Sequence, residues 1–295
     1  DKVALVIRED ADAIVELRQP NGHPDYYLPN NMYLSIFADG CIEKGLDITK
    51  GGVKYYNLGM LGAGIANATD ALTAVKKLVY EDRVITPDEL FEALDANFEG
   101  YEEILAMCRG VKKYGSDSEH SNYHVGRLSR ATSDIAISKS RPYLDKYGLT
   151  LTPAVQSDTW NIKYGETYGA TVDGRLAGAN FSQNSRPSNG SCINGITGML
   201  NSVLCIAQDG FLSGALNLDI NPEEYKGEKG VQMFGAILAS YFNRGGLHAQ
   251  VSSVGAQALI DAKRDPDSHR DLRVRVTGYS GIFVDMCERL QDDII

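Results

Sequence analysis

The sequence predicts an α/β fold, and two observations predict it. Helical and extended patterns alternate along the chain, and glycine-rich breaks separate them. The chain has 295 residues, 43% of them hydrophobic and 23% charged, enough to bury a sizeable core.

Taken in order, Met32 to Cys41 reads as a helix with Gly45 as its stop. Lys50 to Asn57 reads as a loop that leads into a short extended piece. The small residues from Gly59 to Ala68 let backbones pack closely, and a helix bearing Leu72, Val75, Leu78 and Val79 follows. Thr86-Pro87-Asp88-Glu89 is a helix start: Thr86 caps, Pro87 suits the first turn, and Glu89 stands three residues after the cap. Leu90, Leu94, Tyr101, Leu105 and Cys108 then share one face as far as Gly110.

Residues 115–148 are polar and partly helical in pattern. Leu151 to Ile162 reads as extended, and Gly165 to Gly198 as mostly loop. Val231, Phe234, Leu238 and Tyr241 mark an amphipathic helix closed by Gly245-Gly246. Leu247, Ala249 and Val251 alternate with His248, Gln250 and Ser252, as in a strand. A short helix through Leu259 stops at Asp265-Pro266. Leu272, Val274 and Val276 alternate with Arg273 and Arg275. A turn over Thr277–Gly281 leads to Ile282-Phe283-Val284, which is apolar enough to be buried.

The net charge of −10 argues against nucleic acid or an anionic membrane as the main partner. No apolar run reaches membrane-spanning length. The five cysteines, Cys41, Cys108, Cys192, Cys205 and Cys287, are scattered and form no C-x-x-C pair. That disfavours zinc-ribbon and iron–sulfur sites and fits a reducing cytoplasm, with no bound metal expected. The chain starts at Asp1 without a targeting pattern, so it reads as a fragment, a processed product or one half of a split protein.

Gly278 and Gly281 have an ordinary reading as turn glycines, and by spacing alone that reading leads. The motifs around them change the weighing. Arg273-Val274-Arg275-Val276-Thr277-Gly278-Tyr279-Ser280 resembles the signature that surrounds the radical residue of the glycyl radical enzymes. Gly245-Gly246-Leu247-His248-Ala249-Gln250, Gly169-Ala170-Thr171-Val172-Asp173-Gly174-Arg175 and Cys41-Ile42-Glu43-Lys44-Gly45 resemble further segments of that family. So do Gly51-Gly52 with Tyr55-Tyr56-Asn57, Asn97-Phe98-Glu99-Gly100 and Lys113-Tyr114-Gly115. They stand in the family's order, from about Tyr33 to the last residue.

The resemblance implies the C-terminal half of a ten-stranded α/β barrel over residues 1–244, followed by a glycyl radical domain over 245–295. It implies that Gly278 carries the radical. Loss of an α-hydrogen leaves a carbon flanked by a donating amide nitrogen and a withdrawing carbonyl, so the spin delocalises. A side chain would hinder the planar geometry and block close approach, and a buried loop would shield the radical. The glycyl radical is a post-translational group, installed by a separate activating enzyme that carries S-adenosylmethionine (SAM) and an iron–sulfur cluster.

In the family a cysteine on a mid-barrel loop, upstream of every matched segment, relays the radical to a small-molecule substrate. Cys41 matches a different, helical position. Cys108, Cys192, Cys205 and Cys287 read as small buried apolar residues. The thiyl cysteine is therefore expected from an upstream half or second subunit, in a homo-oligomeric enzyme of an anaerobic organism or compartment. Alone, this chain is expected to be inactive.

Substrate would meet the strand from Thr152 to Ile162, where Gln156, Thr159 and Trp160 are the candidate binding residues. For Trp160 the favoured alternative is a core tryptophan. His248, and Asp173 with Arg175, read as structural, and Gln291-Asp292-Asp293 as a solvated helix face. Val172 in place of the family's proline, and the unusual Ser182–Ser188 loop, leave the subfamily open. The leading functional expectation is the radical-bearing part of a dehydratase, decarboxylase or lyase. The alternatives are a non-catalytic radical-carrier or repair subunit, and a binding domain in which Gly278 is only a turn.

Overall fold

The structure is a computed structural model, and it describes residues 29–295 apart from Asp158 and Thr277. The chain divides into two compact units. The first comprises, among the described residues, 29–61, 128–154 and 210–212; the second comprises 62–127, 155–209 and 213–295.

In the first unit, helix α1 spans Met32–Phe37 and helix α2 spans Cys41–Lys44. The sequence pattern predicts one helix here. Gly40 divides it, with φ at +96°, and a β-carbon at Gly40 would lie 2.9 Å from the Gly52 carbonyl oxygen. Asn31 caps α1, its Oδ1 accepting from the Leu34 N–H at 3.1 Å. Gly45 ends α2 at φ +62°, as the expected stop. Strand β1, Tyr56–Gly62, pairs with strand β2, Leu149–Val155.

The polar stretch after residue 115 proves to hold a long helix, which the pattern did not delimit. This is α6, Glu119–Tyr147, numbered after the three helices described next. Within the first unit, Ser133 on α6 donates to the Gly210 carbonyl at 3.2 Å.

The second unit begins with helix α3, Ile65–Ala74, which widens into a π-helical turn over Val75–Glu81. Helix α4, Pro87–Asp95, opens on the expected capping box: Glu89 N–H donates to Thr86 Oγ1 at 3.3 Å, and Thr86 N–H to Glu89 Oε2 at 2.8 Å. The single helix expected as far as Gly110 is two. Asn97 and Phe98 adopt φ of 51° and 63° and turn the chain before helix α5, Glu102–Gly110. The reversal places Phe98 in a core with Leu78, Ile85, Leu90, Ala93 and Cys108. Burying a phenylalanine contributes roughly 1.5–3 kcal/mol, which offsets the left-handed backbone of Phe98 at about 1–2 kcal/mol, and asparagine enters that region more readily than most residues.

The extended reading of Leu151 to Ile162 holds only as far as Val155. Trp160 N–H donates to the Ser157 carbonyl at 2.7 Å and Ile162 N–H to Thr159 at 3.2 Å, so the chain curls into helix α7, Trp160–Thr167. Residues 168–194 are irregular, as expected, apart from a bridge between Thr171 and Arg175. Helix α8, Gly195–Val203, strand β3, Asn217–Asp219, and helix α9, Gly227–Asn243, follow.

Strand β4, Gln250–Ser252, lies parallel to β3, with Asn217 opposite Gln250. After helix α10, Ala256–Arg264, strands β5, Arg273–Arg275, and β6, Ser280–Ile282, form an antiparallel pair with Val274 opposite Gly281. Helix α11, Glu288–Ile294, ends the chain. Leu259, Ala262, Val274, Val276, Phe283 and Leu290 form the core beneath this hairpin.

Candidate functional site

The β5–β6 hairpin alternates as a half-buried strand must. Val274 and Val276 are buried, while Arg273 and Arg275 face outward. Val276 N–H donates to the Tyr279 carbonyl at 2.9 Å and closes the loop. Gly278 stands in that loop at φ +76°, in the left-handed region that favours glycine. Thr277 lies outside the described residues. A β-carbon built on Gly278 meets no atom of the described residues within 4 Å beyond its chain neighbours, so the corresponding α-hydrogen is open on that side. Gly278 is exposed, and the described residues of this chain do not supply the expected burial of the loop.

One side chain ties the loop down. Gln250 Oε1 accepts from Gly278 N–H at 3.2 Å and from Arg275 Nε at 3.1 Å. Its Nε2 donates to the Val276 carbonyl at 2.9 Å and to Asn217 Oδ1 at 3.1 Å. Asn217 Nδ2 in turn donates to Val276 O at 3.0 Å and to Gln183 Oε1 at 2.6 Å. The parallel register of β3 and β4 sets Asn217 and Gln250 side by side for this purpose. Gln250 entered the sequence reading only within a motif and as the polar face of a strand; Asn217 had no local signal.

Gln183, Arg186 and Asp293 line a small hollow beside Gln250, and the same three line a larger cleft of about 540 Å³. That cleft also takes in Lys113, Asp173 and Arg175. Asp173 and Arg175 are both buried and both serve the loop. Asp173 Oδ2 accepts from Asn67 Nδ2 at 2.7 Å, and Arg175 donates to the carbonyls of Ala179, at 2.7 Å, and Gly169. Beneath them Asp70 is buried and accepts from Tyr114 N–H at 2.6 Å, while its Oδ2 has no partner among the described residues. Burial, opposed by that bond and by Lys113, pushes its carboxyl up to about 7.

The three candidate substrate residues stand apart from the cleft. Gln156 Oε1 accepts from Ser213 Oγ at 3.1 Å. Thr159 occupies the N-cap of α7 without a side-chain capping bond. Trp160 is not a core residue: it is 48% exposed, beside Tyr164 and under the Lys163 ammonium. It sits outward because the helix that replaces the expected strand turns its first residue to solvent. None of the three is among the residues lining the cleft.

His248 is a structural histidine, as read, with Nδ1 accepting from Leu216 N–H at 3.2 Å. Cys41 and Cys108 are buried, Cys192 and Cys205 half-buried, and Cys287 is exposed, against its expected burial. It occupies the N-cap of α11, at the solvent end of that helix.

The final acidic stretch is only partly the expected solvated face: Asp292 is exposed, while Gln291 and Asp293 are half-buried and bonded inward. Asp293 accepts from Asn161 at 3.1 Å and from Asn180 at 2.9 Å, Asp292 pairs with Lys263, and Gln291 Nε2 donates to the Phe283 and Met286 carbonyls at 3.1 Å. Among the described residues no group of three or more His, Cys, Asp or Glu is placed to hold a metal ion. No described helix is long and apolar enough to cross a membrane.

An α/β chain with a glycine at the tip of a C-terminal hairpin, locked by amides, defines a class of protein by its fold. Two family models match it: "Pyruvate formate lyase-like" over residues 22–165 and "Glycine radical" over residues 181–284. The chain belongs to the glycyl radical enzyme family, and its fold is a part of that family's α/β barrel followed by the radical domain.

It is similar to the trans-4-hydroxy-L-proline dehydratase of Clostridioides difficile, at 34% identity over 89% of this chain and 33% of the relative. It is also similar to the isethionate sulfite-lyase of Oleidesulfovibrio alaskensis, at 31% identity over 88% of this chain and 32% of the relative. Among solved structures, the glycerol-bound form of the B12-independent glycerol dehydratase from Clostridium butyricum superimposes with a TM-score of 0.83. The identity there is 31%, over 90% of this chain and 33% of that one. The chain thus spans about a third of the length of the relatives it matches.

Proposed function

We propose that this chain is the radical-bearing part of a glycyl radical enzyme, that residues 245–295 form its radical domain, and that Gly278 carries the radical. The observation that supports this most directly is the state of Gly278. Its α-hydrogen meets no described atom beyond the neighbouring residues, its backbone lies at φ +76° in the region that favours glycine, and its amide is held by a side chain. In the proposed activation the α C–H bond breaks homolytically. The hydrogen atom leaves to a SAM-derived radical of the activating enzyme, and one electron stays on the α-carbon. Gln250 holds the amide while the carbon flattens.

The reaction class is dehydration, decarboxylation or C–X cleavage of a small organic molecule. The relatives named above are a proline-type dehydratase, a sulfite-lyase and a glycerol dehydratase. The thiyl cysteine comes from an upstream half or second subunit, since none of this chain's five cysteines matches the family position. Gln156, Thr159 and Trp160 remain candidates for the substrate side of the assembled enzyme, which we propose to be a homo-oligomer. A bare radical carrier is the weaker reading, because the matched span includes residues 22–165 as well as the radical domain.

The test is electron paramagnetic resonance after anaerobic incubation with activase, SAM and reductant, with and without the upstream half. A doublet absent in Gly278→Ala supports the assignment. No signal under any condition with a competent activase overturns it.

A further inference from the structure

We propose that Gln250 is a positioning residue that tunes the Gly278 radical electronically, and that Asn217 aims it; this rests on the reading of Gly278 as the radical site. The orientation of the Gln250 amide is settled by its partners. Two N–H groups, of Gly278 and of Arg275, point at one end, so that end is the oxygen. Two oxygens, of Val276 and of Asn217, receive from the other end, so that end is the nitrogen. The same argument orients Asn217, whose Oδ1 accepts from Gln250 and whose Nδ2 donates to Gln183 and Val276.

The result is a one-way chain of amides. Gly278 N–H donates to Gln250, Gln250 to Asn217, and Asn217 to Gln183. Hydrogen bonds arranged head to tail polarise one another, so each strengthens the next. The pull of this chain falls on the Gly278 N–H. An acceptor on an N–H pushes electron density onto the nitrogen. In a glycyl radical that nitrogen is the electron-donating partner of the α-carbon. Gln250 therefore stabilises the radical more than the closed-shell glycine, and it raises the spin density on nitrogen. Its second role is geometric. The donation to Val276 O fixes the residue two before Gly278, so the α-carbon flattens against an anchored amide.

The experiment uses the 295-residue chain with ¹⁵N-glycine, activase, SAM and reductant, with the upstream half present. Radical yield and the ¹⁵N hyperfine coupling are read for the wild type, Gln250→Glu and Gln250→Leu. Gln250→Glu keeps an oxygen for Gly278 N–H, and it is expected to retain the coupling and most of the yield. Gln250→Leu removes the acceptor, and it is expected to lower the coupling and reduce the yield roughly tenfold, the worth of one hydrogen bond.

Amide hydrogen exchange at Gly278 in the unactivated wild type reads the bond directly and needs no variant to fold. Slowed exchange is expected at this exposed residue, and exchange at the free-peptide rate overturns the proposal. A Gln250→Leu radical with wild-type yield and coupling overturns it too, and leaves Gly278 as the radical site. A wild type that yields no radical, with a competent activase, overturns the functional reading and this inference together.

Discussion

Asp293 reaches back 132 residues to accept a hydrogen bond from Asn161 at 3.1 Å, and so ties the last helix to the first turn of α7. Asn161 is fully buried, and its own Oδ1 has no partner among the described residues. Its Nδ2 also donates to the Phe181 carbonyl at 3.3 Å. Asp293→Ala leaves this amide and that of Asn180 short of an acceptor. The expected loss is about 2–3 kcal/mol, read as a lower midpoint in urea with an unchanged slope. A change within about 0.5 kcal/mol would show that the contact is incidental.

Asp70 makes stability depend on pH. Its folded carboxyl titrates at about 7 against 3.8 when free, so between those values the folded chain holds a proton that the unfolded chain releases. Its contribution is full below pH 4, declines as pH rises from about 4 to 7, and is flat above. The difference corresponds to roughly 4 kcal/mol as an upper figure. Asp70→Asn keeps an oxygen for Tyr114 N–H but cannot titrate. Denaturation at pH 5, 6, 7 and 8 should show a flatter profile for the variant; an identical slope would rule Asp70 out as the source.

Gly278→Ala separates chemistry from folding. The added methyl meets no atom of the described residues within 4 Å beyond the chain neighbours, so the main cost is the left-handed backbone at φ +76°, about 1–2 kcal/mol. The variant is expected to fold with a Tm lower by a few degrees and to give no radical doublet. A variant that fails to fold by circular dichroism would contradict the open space seen around this carbon.

Thr86→Ala removes the side-chain half of the capping box at the start of α4. It should cost about 1 kcal/mol, and Thr86→Ser should restore most of it. Equal stability of all three would mean that the Pro87 turn alone starts the helix.

Several features were legible because they depend on neighbours a few positions apart. The Thr86–Glu89 box, the Gly45 stop and the alternation of Val274 and Val276 with Arg273 and Arg275 are of this kind. The misreadings share a cause. Asn97 and Phe98 break an apparently continuous apolar face, because placing Phe98 in the core outweighs local preference. Trp160 looked like strand and core, yet the bond from its N–H to Ser157 starts a helix that turns it outward.

The sequence by itself determined the family, the α/β class and the motif around Gly278, since these rest on residue types in a given order. Tertiary structure alone decided that Gln250, 28 residues before Gly278, holds its amide, and that Asn217, 33 residues before Gln250, holds Gln250. The physical reason is register. Parallel strands have no short turn to join them, so which residues stand opposite one another is set by packing at a distance and leaves no local pattern to read.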